Sequence, residues 1–275
     1  MLNNIKLLSK NIAAFLFILL FSFPVYAEKI IQGIIQDSEN IVIAKGDIPT
    51  PKKFETDILN YREKAVEQLT LVEKSLVKLI ENSEKNQLIN AQNAYQQAHY
   101  HYEVIRPIIA LFGTSERLLN NRANFFLERE NSPRFSGFHL VEYQLFKLKD
   151  PQKATESAKN LLRGISDLKK RVAIEDIPIP KLVQSAGDSL EFILTDKLAG
   201  IENQYSNNLS GSRLIVEILS NHIPTTEYQL LIKQYDDIGA LLLKYQRDEG
   251  LFQPLTALPE TEKSWLFSQV TQLAE

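Results

Sequence analysis

Apolar residues recur every three or four positions along most of this chain, which is the spacing of α-helices that bury one face. The first such run starts at Phe54 and extends to a polar break at Asn82-Ser83. Its apolar positions include Ile58, Ala65, Leu69, Val72, Leu76 and Leu79. A second run predicts a helix over about residues 86–112, and Gly113 is expected to end that helix. These two runs predict a pair of long amphipathic helices at the start of the folded region.

The same spacing continues to the end of the chain. Helices are predicted over residues 139–149, 155–173, 181–198, 213–219, 227–247 and 260–274. Segments 114–134 and 200–212 are polar and lack a clear period, so both are predicted to be irregular. Because strand-like alternation is almost absent, the pattern predicts an all-α fold of seven or eight helices. That number is sufficient for two packed helical bundles, over about 54–150 and 151–275.

The first 27 residues have the features of a secretory signal peptide. Lys6 and Lys10 precede an apolar run at 12–21, and Val25-Tyr26-Ala27 is typical of a cleavage site. The alternative is an uncleaved membrane anchor, for which the run is short, since a span needs about 20 residues. We therefore predict cleavage after Ala27 and a periplasmic mature chain, in which residues 28–53 form an N-terminal extension or linker.

Composition excludes several classes of function. The chain has no cysteine, which rules out thiolate catalysis, zinc–thiolate sites and anchoring through a lipidated cysteine. The mature chain would carry 29 basic and 34 acidic residues, because Lys6 and Lys10 are removed with the signal peptide. No basic stripe is present to neutralise phosphates, so nucleic acid is not an expected partner.

A His-x-x-Glu pair, His139 and Glu142, follows Gly137 at the start of a predicted helix. Residues three apart lie on one helix face, so the imidazole and the carboxylate project together. Gly137 allows another backbone to approach closely where the helix begins. An ionisable pair on an apolar helix face suits an inward-facing metal site in a bundle. The alternative is a purely structural His–Glu hydrogen bond inside a packing face.

A second concentration of ionisable groups lies in the preceding helix, at residues 99–107. Glu103 follows His99 by four positions and His101 by two, so it shares a helix face with His99 and not with His101. His101 either contributes to a metal site or is a half-exposed residue that forms a hydrogen bond on the helix surface. Pro107 within the helical pattern predicts a kink or a local opening.

These segments resemble the imelysin-like family, and within it the EfeO/EfeM branch of periplasmic iron-uptake proteins. Residues 98–107 are similar to the family's H-[WY]-E-x-I-E-P segment, and residues 137–143 to its G-F-H-x-[IL]-E segment. Residues 198–206 are similar to its G-E-E-x-x-Y-S segment, and the similarity extends over about 60–275. The resemblance implies an all-α fold of two four-helix bundles without the cupredoxin-like domain of EfeO.

The resemblance also implies a metal site on the first bundle, with His139, Glu142 and Glu103 as ligands and Glu202 as a weaker candidate. Two positions depart from the family pattern, since Arg106 replaces a glutamate and Asn120 replaces an aspartate. Both changes remove a hard oxygen ligand, and Arg106 adds a permanent positive charge three residues after Glu103. An Arg106–Glu103 ion pair is therefore expected to compete with a metal ion, so the site is either weakened, altered in selectivity or vestigial.

Three functional hypotheses follow. The first is a binding protein that captures a cation, iron by resemblance or else zinc or copper, and passes it to an inner-membrane iron permease or another Efe-type partner. The second is a metal-free module of the same fold that recognises a surface polymer or a partner protein. The third, a metallopeptidase, is disfavoured because the chain has no His-Glu-x-x-His zinc helix, so we expect no enzymatic activity. A ferritin-like oxidase would need Glu-x-x-His pairs on two helices, which the chain lacks.

Overall fold

The computed structural model describes residues 51–193, 205–245 and 257–274. Within these residues it contains ten α-helices and no β-strand, which confirms the predicted all-α fold. The predicted signal peptide, most of the N-terminal extension and Glu202 lie outside the described residues. No helix among the described residues has both the length and the apolar character needed to cross a bilayer.

The two long N-terminal helices are α1, Glu55–Glu84, and α2, Leu88–Val104, which pack against each other along their length. The apolar positions predicted for α1 are buried, and most of them are fully inaccessible to solvent. The turn between α1 and α2 contains Asn86 with φ +56°, a left-handed conformation that asparagine tolerates. The helix break therefore lies slightly after the predicted position at Asn82-Ser83.

Pro107 interrupts the second helix as predicted. Helix α2 ends at Val104, and a short helix α3, Arg106–Ala110, begins at the next residue but one. Proline has no N–H to donate, and its ring would clash with the carbonyl oxygen four residues earlier. The backbone at this break is approached closely from elsewhere, because a Cβ on Gly211 would lie 2.3 Å from the Val104 carbonyl oxygen.

The segment predicted to be irregular between 114 and 134 contains a helix, α4, Gly113–Asn120. Gly113 is thus the first residue of α4, and the prediction that it is a helix stop is wrong. Helix α4 has only two buried residues, Leu119 and Asn120, so its apolar pattern is too short to be detected by periodicity. Two 3-10 turns, Ala123–Phe125 and Arg129–Asn131, follow it.

The His-x-x-Glu helix is short. Helix α5, Gly137–Glu142, continues as one π-helical turn, Tyr143–Lys147. The Gln92 side chain of α2 donates a hydrogen bond to the Leu145 carbonyl oxygen in this turn (2.9 Å). The π-turn is therefore fixed to α2, which keeps α5 beside the helix that carries Glu103.

Helix α6, Pro151–Ile174, packs against α1 and α5. Its first turn is capped by Asp150, whose carboxylate accepts a hydrogen bond from the Lys153 backbone N–H (3.0 Å). Pro151 at the first position has no N–H that needs a partner. One face of α6 is buried at helical spacing, through Ala154, Ala158, Leu161, Ile165, Leu168 and Val172.

The remaining four helices pack with one another, and two of them also pack against α2 and α3. They are α7, Ile179–Phe192, α8, Tyr205–Ile218, α9, Thr225–Leu243, and α10, Glu260–Ala274. Their shared core comprises Leu190, Ile193, Leu209, Tyr235, Ile238, Leu241, Leu242, Leu258, Leu266 and Val270. The prediction of an irregular segment up to residue 212 is wrong for residues 205–212, which belong to α8.

The described residues between 52 and 274 form one compact unit by their contacts. Helix α6, which the sequence assigns to the start of the second bundle, packs against α1 of the first. The division into bundles over 54–150 and 151–275 stays a prediction.

Candidate metal site

The joint between α4 and α5 determines where His139 lies. Gly137, the first residue of α5, has φ +76°, and a Cβ there would lie 2.1 Å from the Leu119 carbonyl oxygen. Only glycine fits this conformation and this space. The Ser136 hydroxyl donates to the Leu118 carbonyl oxygen (2.9 Å), a second link across the joint. The predicted close backbone approach at Gly137 is confirmed, and it sets the start of α5 against the C-terminus of α4.

The His139 and Glu142 side chains contact each other as the three-residue spacing predicts. The distance from His139 Nδ1 to Glu142 Oε2 is 3.0 Å. His139 is buried, whereas the Glu142 side chain is 42% exposed, so the pair lies at the boundary between core and solvent. Two ligands that meet a metal ion at right angles, each at about 2.1 Å, are also about 3.0 Å apart. A cation could therefore replace the shared proton with little movement of either side chain.

The other ring nitrogen of His139 faces Asn120, the last residue of α4. In the amide orientation that satisfies both neighbours, Asn120 Nδ2 donates to His139 Nε2 (3.2 Å), and Asn120 Oδ1 accepts from Arg106 Nη2 (2.9 Å). If Nε2 accepts this hydrogen bond, the proton of the neutral ring is on Nδ1, where it is donated to Glu142. Asn120 thus connects the His139–Glu142 pair to Arg106 and sets the tautomer of the ring.

Glu103 is paired with Arg106. Arg106 Nη1 donates to both carboxylate oxygens of Glu103, at 2.9 and 3.2 Å. Glu103 is completely buried and the Arg106 side chain is 14% exposed, so this ion pair has little contact with solvent. A second carboxylate, Glu116 of α4, lies 3.8 Å from Arg106 Nη2. The guanidinium therefore occupies the position between these carboxylates that a metal ion would need.

His99 belongs to the same buried group, although it was not among the residues predicted for the site. Its Nε2 lies 3.4 Å from Glu103 Oε1, and its ring centroid lies 6.4 Å from that of His139. Its ring is flanked by aromatic side chains, namely Tyr95, Tyr102 and Phe138. The four-residue spacing from Glu103 is the sequence signal that identifies His99.

Two other predicted residues are placed differently. His101 points away from this group and its Nδ1 lies 2.8 Å from Gln68 Oε1 on α1. Partial burial lowers the pKa of His101, which favours the neutral ring. The predicted absence of His101 from the face of Glu103 is therefore confirmed. Glu202 cannot be related to the site, because it lies outside the described residues.

An open cleft of about 440 Å³ borders the His139–Glu142 pair. Its floor includes these two side chains, and its walls come from the segment after α4 and from the π-turn. The residues that line it are Arg122, Ala123, Asn124, Glu130, Phe135, His139, Glu142, Tyr143, Phe146 and Lys147. Glu103 and Arg106 are not among them, so the cleft reaches the outer pair and not the inner ion pair.

The candidate residues therefore form two linked halves. The outer half is His139–Glu142, the inner half is Glu103–Arg106, and Asn120 lies between them. Within residues 51–193, 205–245 and 257–274, no three His, Asp or Glu side chains are close enough to hold one metal ion. The structure brings the predicted ligands His139 and Glu142 together, whereas the Glu103 carboxylate forms an ion pair with Arg106.

Comparison with known proteins finds iron uptake components among the relatives of this chain. No model of a known protein family matches the chain. The iron uptake system component EfeO of Escherichia coli (strain K12) is 28% identical over 196 residues, which is 67% of this chain and 52% of EfeO. The iron uptake system component EfeM of Pseudomonas syringae pv. syringae is 27% identical over 202 residues, which is 70% of this chain and 71% of EfeM.

The chain is an EfeO/EfeM-type relative. The resemblance that the sequence motifs suggested is thereby confirmed. The chain spans about half the length of the EfeO relatives that it matches.

Proposed function

We propose that this protein is an exported metal-binding component of an iron uptake system. Its relatives are the iron uptake system components EfeO and EfeM, and their names support the assignment of this chain to such a system. In this role the protein captures iron in the periplasm and hands it to a membrane permease or another Efe-type partner. Capture and transfer need no catalytic nucleophile, so the proposal includes no enzymatic step.

The observation that carries the proposal is the His139–Glu142 pair at the floor of an open cleft. The 3.0 Å separation of His139 Nδ1 and Glu142 Oε2 suits two adjacent ligands of one metal ion. Imidazole and carboxylate together suit iron, zinc and copper. Because solvent reaches Glu142, a cation can enter and leave without unfolding of the bundle.

The inner half of the site limits how tightly the cation is held. Arg106 already neutralises Glu103, and a fixed guanidinium repels a second cation nearby. The protein therefore supplies two ligands where iron prefers up to six, so the remaining positions are filled from outside the protein. Weak, reversible binding of this kind is compatible with handover to a partner.

A metal-free binding module is the competing function. The Arg106–Glu103 ion pair favours it, since the inner site is complete without a metal ion. In this alternative the His139–Glu142 contact is structural, and the cleft binds a surface polymer or a partner protein.

Metal titration by calorimetry distinguishes the two functions. Wild type should bind ferrous, zinc or copper ions with a single-site isotherm, and affinity should fall at low pH because protons compete for the same atoms. His139→Ala and Glu142→Gln should each weaken binding at least tenfold. His101→Ala removes a histidine from the neighbouring helix that faces Gln68, and it should leave the isotherm unchanged.

Two results would argue against metal capture. Equal isotherms for wild type and His139→Ala would mean that the pair is structural. Equal losses from His139→Ala and His101→Ala would mean that binding is to surface histidines in general.

A further inference from the structure

The cleft beside His139 has room for more than a metal ion, and its lining suits an organic molecule. Six waters around an ion occupy about 180 Å³, since each water takes about 30 Å³ in the liquid. The cleft is about 440 Å³, which is in the range of sites for small organic molecules. The cleft therefore has room for an organic ligand beside the ion.

The walls of the cleft point to an organic ligand. Phe135, Tyr143 and Phe146 line one part of it. Aromatic rings offer little to a hydrated ion, but they pack well against the carbon skeleton of an organic molecule. Tyr143 and Phe146 belong to the π-turn that follows the His139–Glu142 pair, and Phe135 lies two residues before α5, so one short segment positions both features.

The charged residues of the cleft also favour an organic ligand. Arg122 and Lys147 line it together with Glu130 and Glu142, so their formal charges cancel. A bare ferric ion would give this neutral cleft three uncompensated positive charges beside a guanidinium and an ammonium group. A ferric ion that arrives with a polycarboxylate brings its own negative charge, and the guanidinium and the ammonium are suitable partners for carboxylates.

We infer that the cleft binds iron as a chelate with a small polycarboxylate, and this inference rests on the proposed function. His139 and Glu142 supply two ligands to the metal, and carboxylates of the chelator supply the others. Arg122 and Lys147 bind chelator oxygens that face away from the metal. No bond is made or broken other than the exchange of metal-bound waters or chelator oxygens for the two protein ligands.

Titrations with ferric citrate, ferric nitrilotriacetate, metal-free citrate and ferrous ion test this inference. Wild type should bind at least one ferric chelate at least tenfold more tightly than either ferrous ion or citrate alone. Arg122→Gln and Lys147→Gln should each weaken chelate binding about tenfold, and binding of ferrous ion should not weaken. Arg117→Gln removes the same charge from an exposed position of α4 outside the cleft, and it should bind the chelate as wild type does.

The outcomes separate the inference from the proposed function. Binding of ferrous ion that depends on His139, with chelates bound no more tightly, would overturn the chelate and leave metal capture in place. Binding of citrate as tight as that of ferric citrate would overturn the chelate as well, because the metal would then contribute nothing. If neither ion nor chelate binds, both the inference and the proposed function are wrong.

Discussion

The amide of Asn120 lies between the His139 ring and the Arg106 guanidinium, one of which needs a hydrogen-bond donor and the other an acceptor. In the amide orientation that satisfies both neighbours, it donates to His139 Nε2 and accepts from Arg106, which leaves the ring proton on Nδ1. A metal ion on Nδ1 displaces that proton, and the neutral ring must then carry it on Nε2 and donate it. Asn120 would have to turn its oxygen toward His139, and its NH₂ group would then face Arg106. Metal binding at His139 is therefore coupled to the Arg106–Glu103 ion pair through a single side chain.

Asn120→Asp should tighten metal binding by removing this conflict. A carboxylate accepts from Nε2–H and from Arg106 at the same time, and such an acceptor is the usual partner of a metal-bound histidine. The expected gain is about tenfold in affinity, measured by titration with zinc or ferrous ion. Asn121→Asp adds the same charge one residue later, and it should change the affinity less than twofold. An equal gain in both variants would mean that only net charge matters.

Arg106→Glu should convert the inner half into a metal site. The variant places a second carboxylate beside Glu103 and Glu116 and removes the guanidinium that pairs with them. Without metal it should be destabilised by about 3–5 kcal/mol, because breaking a buried ion pair leaves buried charge without compensation. Divalent metal should restore much of this loss, by an amount that grows with metal concentration.

Arg106→Met is the control for that experiment. It also breaks the ion pair but adds no oxygen ligand, so it should be destabilised without rescue by metal. Thermal unfolding with and without zinc measures both effects. Equal rescue of the two variants would show that residue 106 does not face a metal site.

At the residue level, the sequence predicts contacts within a helix better than contacts between helices. The His139–Glu142 contact and the separation of Glu103 from His101 follow from helix geometry alone, and both are confirmed. The position of Asn120 against His139 depends on how α4 meets α5, and no local pattern encodes that contact. The sequence treated Asn120 as a lost metal ligand, whereas its amide is a hydrogen-bonding neighbour of the ligand.

The α4–α5 joint is the element on which the site geometry depends. Gly137→Ala should destabilise the protein by at least about 2 kcal/mol, through strain at positive φ and a clash with the Leu119 carbonyl oxygen. It should also weaken metal binding, because α5 has to shift away from α4. Gly113→Ala, at the other end of α4, has no neighbour within 4 Å of the added Cβ and should be tolerated. Chemical denaturation measures the difference, and equal stability of the two variants would contradict it.

At the element level, long helices are predictable and short ones are not. Helices such as α1 and α6 have more than six turns of regular apolar spacing, so their existence is clear from the pattern. Helix α4 has two turns and two buried residues, which is below what periodicity detects. Pro107 gives a local chemical signal, so the break after α2 was predictable despite its irregular geometry.

For the molecule as a whole, a polar contact between His222 and Asp57 joins segments 165 residues apart in the chain. His222 Nε2 lies 2.8 Å from Asp57 Oδ2 at the start of α1, and the His222 ring packs on Phe54 (4.3 Å between centroids). His222→Ala should lower stability by about 1–3 kcal/mol, because it leaves the buried Asp57 carboxylate without this partner. The same variant should not change metal affinity. Lys170→Ala, which removes an exposed partner of Asp167, should change stability by less than 0.5 kcal/mol.

The all-α class and the order of the long helices follow from periodicity over the whole chain. The packing of α6 on α1 does not follow from periodicity, because the apolar pattern of an amphipathic helix does not specify which other helix it packs against. The same limit applies to the site. The Arg106–Glu103 ion pair was predictable from the three-residue spacing, whereas the contact of Arg106 with Asn120 arises only when α3 and α4 are assembled.

An anomalous diffraction experiment at the iron edge tests the central claim most directly. Crystals of the protein, soaked in ferrous ion under anaerobic conditions and separately in ferric citrate, should show one peak. We expect this peak within about 2.5 Å of both His139 Nδ1 and Glu142 Oε2, with the Arg106–Glu103 ion pair still in place. A peak only at surface carboxylates, or no peak with the His139–Glu142 hydrogen bond unchanged, would contradict metal capture at this site.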